Sequence, residues 1–156
     1  MSAEMRLKEL GLQLPAPAAA LANYVPFTIS GQMLIVSGQL AFGADGKLAP
    51  EHCGKLGAQV SPEAGREAAR LCAINLIAQA RAATGSLDAI ARVLKLGAFV
   101  NAAPDFTAIA PVVNGASDLM EAVFGDAGKH ARAAVSVPVL PRDATVEIDC
   151  VVKVRS

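Results

Sequence analysis

The chain has 156 residues, 53% of them hydrophobic, and its 14 basic and 14 acidic side chains leave no formal net charge. This length and apolar content suit one domain over residues 1–156, in which residues 1–18 form an amino-terminal helix and linker extension. The charge balance argues against a binder of nucleic acid or of anionic membranes, and one Tyr with no Trp leaves few residues for base stacking.

The cysteines and histidines show no metal-site or disulfide pattern. Cys53, Cys72 and Cys150 are odd in number and far apart, and His52 and His130 are equally distant in sequence. The amino terminus has charges among its apolar residues and lacks the h-region of a signal peptide. No run reaches membrane-spanning length without a charge, Gly or Pro. We therefore expect a cytoplasmic protein that does not contact membranes.

The first third of the chain predicts a short helix followed by a β-hairpin. Ser2 is placed to cap the helix and Gly11 to end it. Residues 27–30 and 33–37 are rich in β-branched side chains and flank a two-residue turn that begins with Gly, which is typical of a hairpin. The segment 42–61 carries glycines, proline and scattered charges, and we interpret it as a loop that leaves room for a short strand.

A long helix follows the loop. Ser61 is a capping residue and Pro62 suits the first helical position, so a helix is predicted from here to Gly85. Its charged side chains lie on one side and its small residues on the other, which would let the helix sit close against a sheet. Cys72 is on the small-residue side, and we expect it to be an inert core residue.

The second half of the chain predicts three more strands and one more helix. A strand is clearest over residues 93–100, and a helix around residues 119–124 leads to a glycine; its start stays open because proline and an Asn-Gly pair precede it. The last strands are predicted over residues 132–137 and 145–154, joined by residues 140–143. This order gives an α+β sandwich with two helices on one face of a mixed sheet.

Side-chain alternation in the last two strands suggests a site. The apolar residues of the last strand alternate with Glu147 and Asp149, and those of the strand before it alternate with Arg132. If both apolar sets lie under the helices, Arg132 and Glu147 emerge together on the uncovered face. Such a face favours association with further copies of the chain, which would place a site at a subunit interface.

Arg132 and Glu147 together suggest hydrolysis beside an acid group. A guanidinium can hold a small carboxylate through two hydrogen bonds while a neighbouring carboxylate positions a water. Beside the cation, Glu147 should stay ionised. The alternative is structural, with Arg132 and Glu147 forming an ion pair at the interface.

Several short fragments resemble the RidA family of reactive-intermediate deaminases, also called YjgF-like or L-PSP proteins. They span most of the chain from about Tyr24 to its end. The fragments are Asn23-Tyr24-Val25, Ile35-Val36-Ser37-Gly38-Gln39, Phe99-Val100-Asn101, Val113-Asn114, Ala131-Arg132, Leu140-Pro141 and Val146-Glu147-Ile148.

The resemblance implies a fold, an assembly and an activity. The fold is the chorismate-mutase-like one, with about six strands in a mixed sheet and two main helices on one face. The assembly is a homotrimer with clefts between neighbouring chains. The activity is hydrolysis of small 2-imino or enamine acids to 2-keto acids and ammonia, without a metal or an organic cofactor.

The resemblance also implies roles for individual residues. Arg132 would clamp the substrate carboxylate, and Glu147 would orient or activate the attacking water. The expected substrate-binding residues are Tyr24, Ser37, Gly38, Asn114 and Ala134.

The chain departs from the well-characterised deaminases in ways typical of a divergent branch. Ala134 stands where those proteins often have Cys, His130 replaces a small residue, and the loop 42–61 is longer than usual. Two other functions therefore stay open. The first is a non-catalytic trimer that binds small carboxylates or has a regulatory role; the second is the endoribonuclease activity of an older family label, which the zero net charge supports least.

Overall fold

The computed structural model describes all 156 residues and contains three α-helices and five β-strands in the predicted order. The sheet has five strands where about six were expected. The elements are α1 (Ala3–Glu9), β1 (Phe27–Ser30), β2 (Met33–Leu40), α2 (Pro62–Thr84), β3 (Ile90–Asn101), α3 (Ile109–Phe124), β4 (Ala131–Val137) and β5 (Val146–Val154).

The strands form one mixed sheet in the order β1-β2-β5-β3-β4. Neighbouring strands are antiparallel except β3 and β4, which are parallel. Strand β5 is central, β1 and β4 are the edges, and the pairing of β2 with β5 shifts register between Val36 and Gln39. The loop after β2 contributes only isolated bridges, among them Phe42 with Leu48 and Leu56 with Val60, so it adds no sixth strand.

Helices α2 and α3 cover one face of this sheet, as predicted. The inward side chains of β5 are at most 3% exposed: Val146, Ile148, Cys150 and Val152. Cys72 of α2 is fully buried, which confirms its core position, and burial raises the pKa of its thiol. Burial likewise raises the pKa of the Cys150 thiol to about 12, so both thiols are protonated and inert.

Local signals explain both ends of α2 and the start of α3. The Ser61 hydroxyl accepts a hydrogen bond from the Ala64 N–H at 3.1 Å, and Gly85 ends the helix with a positive φ of 77°. Helix α3 already begins at Ile109, before the predicted segment. Pro111 is tolerated because it lies in the first turn, where the backbone N–H has no intrahelical partner.

Strand β4 has the opposite orientation to the one predicted. Arg132 pairs with Leu96, which in turn pairs with Cys150, so its side chain lies on the helix-covered face. Ala133 and Val135 point to the uncovered face, where Val135 is 48% exposed. The prediction was wrong because the strand is at the sheet edge, where a guanidinium finds polar partners on α3 while small apolar residues can face outward.

Helix α1 packs on its own chain. Leu7 is buried in the main core. The Glu4 carboxylate accepts a hydrogen bond from the Leu87 N–H at 3.0 Å and lies 3.1 Å from the Arg81 Nε. The predicted amino-terminal helix is thus confirmed and is fixed to the end of α2. None of the three helices combines the length and apolarity needed to cross a membrane.

Gly115 sets the distance between α2 and α3. A Cβ atom at this position would overlap the backbone carbonyl of Arg66, whereas a Cβ at Gly65 would meet chiefly a flexible methyl group of Leu56. We expect Gly115→Ala to lower the free energy of unfolding by about 2–3 kcal/mol, since backbone cannot yield as a side chain does.

Gly65→Ala is the matched control, because its gain in helix propensity of about 1 kcal/mol offsets part of the strain. Urea denaturation of both variants checks the expectation. Equal losses of stability would contradict it.

Candidate functional site

A cleft of about 650 Å³ opens beside the central strand of the sheet. Its walls are the alanine-rich linker over residues 15–22, the loop over residues 42–46 and the turn that precedes β5. Its polar or ionisable lining side chains are Tyr24, Gln39, Asp45, Asn75, Arg142 and Glu147. The cleft thus joins an apolar wall to a few polar groups, as small-molecule sites commonly do.

Glu147 lies in this cleft on the uncovered face of β5. It pairs with Leu40 on one side and Phe99 on the other, which fixes its position between the neighbouring strands. Its carboxylate fits because residue 38 is a glycine: a Cβ atom on Gly38 would overlap it. The sheet pairing therefore brings Gly38 and Glu147 together, as the site prediction requires.

The electrostatic environment of Glu147 in one chain differs from the predicted one. Burial, and secondarily the Asp149 carboxylate, raises the pKa of Glu147 above its ordinary value. Arg132 of the same chain does not lie beside Glu147, because the two side chains lie on opposite faces of the sheet.

Two other predicted residues, Tyr24 and Ser37, have different positions relative to the cleft. Tyr24 lines it and is 50% exposed. Ser37 does not line it; its hydroxyl donates a hydrogen bond to the Val25 carbonyl at 2.7 Å, and its N–H donates to the Pro26 carbonyl at 2.9 Å. Ser37 thus holds the segment that carries Tyr24.

Arg132 is anchored elsewhere, against the first turns of α3. Its Nη1 donates to the Asn114 Oδ1 at 2.8 Å and to the Ser117 Oγ at 3.0 Å, and its Nη2 donates to the Ala110 carbonyl at 3.3 Å. Asn114 therefore orients Arg132 and does not line the cleft. Ser117 was missed, although its three-residue spacing from Asn114 places both on one helix face.

His130 extends this set of contacts. Its Nδ1 lies 2.6 Å from the Gly128 carbonyl and its Nε2 lies 3.0 Å from the Ser117 Oγ. A carbonyl only accepts, so Nδ1 carries a proton and donates it to the Gly128 carbonyl, while Nε2 shares a hydrogen bond with the Ser117 hydroxyl. The Ser117 oxygen in turn accepts from Arg132, which makes a continuous chain of hydrogen bonds from the backbone to the guanidinium.

The predicted residues therefore form two separate groups. Tyr24, Gly38 and Glu147 line the cleft, whereas Arg132 is held with Asn114 on the other face of the sheet, two strands away. Ala134 belongs to the second group by position, since it shares the helix-covered face with Arg132 and pairs with Ala98. Arg132 and Glu147 form no ion pair within one chain.

One basic residue of the cleft was not among the predicted site residues. Arg142 is the only basic side chain that lines the cleft, and its Cζ lies 5.5 Å from the centre of the Phe42 ring, in cation–π range. The sequence showed residues 140–143 only as a connection between strands. Arg142 has a φ of 59°, a backbone conformation that depends on tertiary contacts and leaves no local sequence signal.

Comparison with known proteins identifies the family. Residues 4–154 match the family model described as "YjgF/chorismate_mutase-like, putative endoribonuclease". The chain is 46% identical over 151 residues to Protein TCP17 of Trypanosoma cruzi, covering 96% of this chain and 92% of that one. The chain belongs to the YjgF/chorismate-mutase-like family, and the predicted resemblance and fold are confirmed.

Solved structures agree with this assignment. The Agrobacterium tumefaciens protein Atu1372 is 49% identical, with a TM-score of 0.89 over 98% of this chain and 92% of that one. TdcF of Escherichia coli, solved with bound serine, is 25% identical, with a TM-score of 0.65 over 93% of this chain and 97% of that one.

The close approach of Gly38 to Glu147 gives a test of the cleft geometry. We expect Gly38→Ala to lower the free energy of unfolding by about 1 kcal/mol, because the new methyl group displaces the flexible end of Glu147. In a Glu147→Ala background the same change should cost nothing, since the overlap is gone. Thermal unfolding of the four proteins in this double-mutant cycle measures the coupling.

Gly43→Ala is the control, because a Cβ there meets no atom of Glu147. A cost at position 38 that is independent of Glu147 would contradict the proposed contact.

Proposed function

We propose that the protein hydrolyses small 2-imino and enamine acids to 2-keto acids and ammonia in clefts completed by a second copy of the chain. The observation that carries the proposal is the division of the site. Glu147 lies in an open cleft that contains no Arg132, while Arg132 is held rigidly at the edge of the same sheet. Arg132 of a neighbouring copy would supply the missing half.

The uncovered face of the sheet supports this assembly. Met33, Ile35 and Val135 are 47%, 41% and 48% exposed there, although they are apolar side chains. Strand β4, which carries Arg132, has one unpaired edge. Packing such faces together buries apolar surface and brings an edge residue of one copy towards the cleft of the next. We propose that this packing joins three copies of the chain into a closed homotrimer, the assembly that the family resemblance implies.

The proposed reaction needs few groups. Arg132 of the neighbouring copy binds the substrate carboxylate through two parallel hydrogen bonds. Glu147 accepts a proton from a water whose oxygen attacks the carbon of the protonated imine. Glu147 then returns this proton to the nitrogen of the carbinolamine. The C–N bond breaks to release ammonia, and the hydroxyl proton passes to solvent to give the 2-keto acid. Glu147 can accept this proton only while its carboxyl group is ionised, which a neighbouring guanidinium favours.

The two alternatives find less support. A trimer that only binds carboxylates would need Arg132 but not Glu147 in the cleft. The serine bound to TdcF is compatible both with imine hydrolysis and with carboxylate binding alone. The endoribonuclease named in the family description would need to neutralise phosphates. This chain has no net charge, and Arg142 is the only basic residue lining its cleft. With three unpaired cysteines, we propose a cytoplasmic location.

Release of keto acid and ammonia tests the activity. With 2-iminopropanoate and larger 2-imino acids generated in situ, we expect wild-type protein to accelerate hydrolysis. Arg132→Ala should lower kcat/KM by about 10–100-fold, as expected for losing hydrogen bonds to a charged group. Glu147→Gln should lower kcat by about 10²–10⁴-fold while the substrate still binds, because general base catalysis is lost.

Arg70→Ala is the control, since Arg70 contacts only Glu67 on the surface of α2. Sedimentation shows whether each variant keeps the assembly. An assembled protein without imine hydrolysis would leave the carboxylate-binding alternative, and loss of the assembly in Arg132→Ala would favour a structural role.

A second measurement tests the shared site without turnover. In the assembly, the neighbouring guanidinium should lower the pKa of Glu147 relative to the single chain, where burial raises it. The carbon-13 chemical shift of the Glu147 carboxyl, followed against pH, should therefore give a higher pKa in Arg132→Ala than in wild type. The same pKa in both proteins, with the assembly intact, would show that Arg132 does not reach the cleft.

A further inference from the structure

We propose that Arg142 forms a second acid-binding position in the cleft, so that the preferred ligands are dicarboxylic: 2-imino acids with an acidic side chain, and the matching 2-keto acids. That these imino acids are substrates rests on the function proposed above, but acid binding can be measured without turnover. Support for this position comes from the backbone at Arg142, the partners of its side chain and the size of the cleft.

The backbone around Arg142 is held in an uncommon conformation. Arg142 and Asp143 both have positive φ values, of 59° and 55°. Asp143 is fixed from two sides: its carbonyl accepts the Gly54 N–H at 2.7 Å, and its carboxylate accepts the Asn101 side-chain amide at 3.0 Å. A long side chain in this region costs on the order of 1 kcal/mol that a glycine would avoid. Such strain is common at ligand-binding sites.

The Arg142 guanidinium is unpaired. It lies over the Phe42 ring and takes part in none of the five salt bridges of the chain. The two carboxylates lining the cleft are Asp45 and Glu147, and Asp45 is already engaged as acceptor for the Lys47 N–H at 3.0 Å. An oriented cation without a counterion in a largely apolar cleft is suited to an anionic group of a ligand.

The dimensions of the cleft suit a ligand with two acid groups. Its 650 Å³ exceeds what a three-carbon acid occupies, since pockets of about 300–1,000 Å³ hold much larger ligands. In the proposed assembly, one carboxylate of the ligand would meet Arg132 of the neighbouring copy near Glu147. The other would meet Arg142, and the methylene groups between them would lie along the alanine-rich wall. A ligand with one acid group leaves Arg142 unpaired.

Calorimetric titration with stable keto acids tests this position. We expect wild-type protein to bind 2-oxoglutarate more tightly than 2-oxobutanoate. In Arg142→Ala the ratio of the two affinities should fall by about 10–100-fold, the size expected for hydrogen bonds to a charged group. Arg70→Ala, outside the cleft, should keep the wild-type ratio.

Two further variants separate binding from folding. Arg142→Gly removes the side chain but accepts the positive φ, so the protein should stay folded while the ratio falls as in Arg142→Ala. Arg142→Lys keeps the charge but not the planar geometry, so its affinity ratio should lie between those of wild type and Arg142→Ala. Equal affinity for the two acids in wild type, binding of neither acid, or an unchanged ratio in all three variants would overturn the proposal.

The outcome is distinguishable from that of the proposed function. Arginine-dependent turnover of imines combined with an unchanged affinity ratio would leave the deaminase standing and remove only the Arg142 position. A falling ratio without turnover of any imine would keep the acid-binding position and remove the deaminase.

Discussion

The alternation of side chains along β5 is the constraint on which the rest of the molecule depends. This central strand places Val146, Ile148 and Cys150 under the helices, and burying each such side chain contributes on the order of 1.5–3 kcal/mol. A slip of one residue would move Glu147 into the core and expose the apolar set, so the register is strongly specified. The Glu147 carboxylate is thus positioned by the burial of its apolar neighbours on the other face of the strand.

Arg132 is positioned by a different kind of interaction. Strand β4 lies at the sheet edge and buries little, so the orientation of Arg132 comes from three oxygen acceptors on α3. Close packing of α2 against α3 at Gly115 fixes where those acceptors lie. A core mutation far from the cleft can therefore misplace the guanidinium without touching it.

Much of the fold follows from local signals, whereas the geometry of the site follows only in part. Ser61 and Gly85 define α2, and the strict alternation of β5 defines the face of Glu147. The same reasoning failed for Arg132, because alanines on both faces of β4 give too little contrast to decide which side is buried. The backbone conformation of Arg142 could not be predicted for another reason: Gly54 and Asn101, distant in sequence, hold the neighbouring Asp143 through hydrogen bonds.

A single chain leaves Glu147 without a cationic partner, and the proposed trimer would couple ligand binding to assembly. Glu147 is partly buried, and Arg142 lines the same cleft without a salt bridge to it. In the proposed trimer, a neighbouring Arg132 lowers the pKa of Glu147, so association releases protons in the pH range between the raised and the lowered pKa. Because the single chain binds more protons there, rising pH favours association. In that pH range, assembly brings an ionised Glu147 together with the guanidinium that receives the substrate.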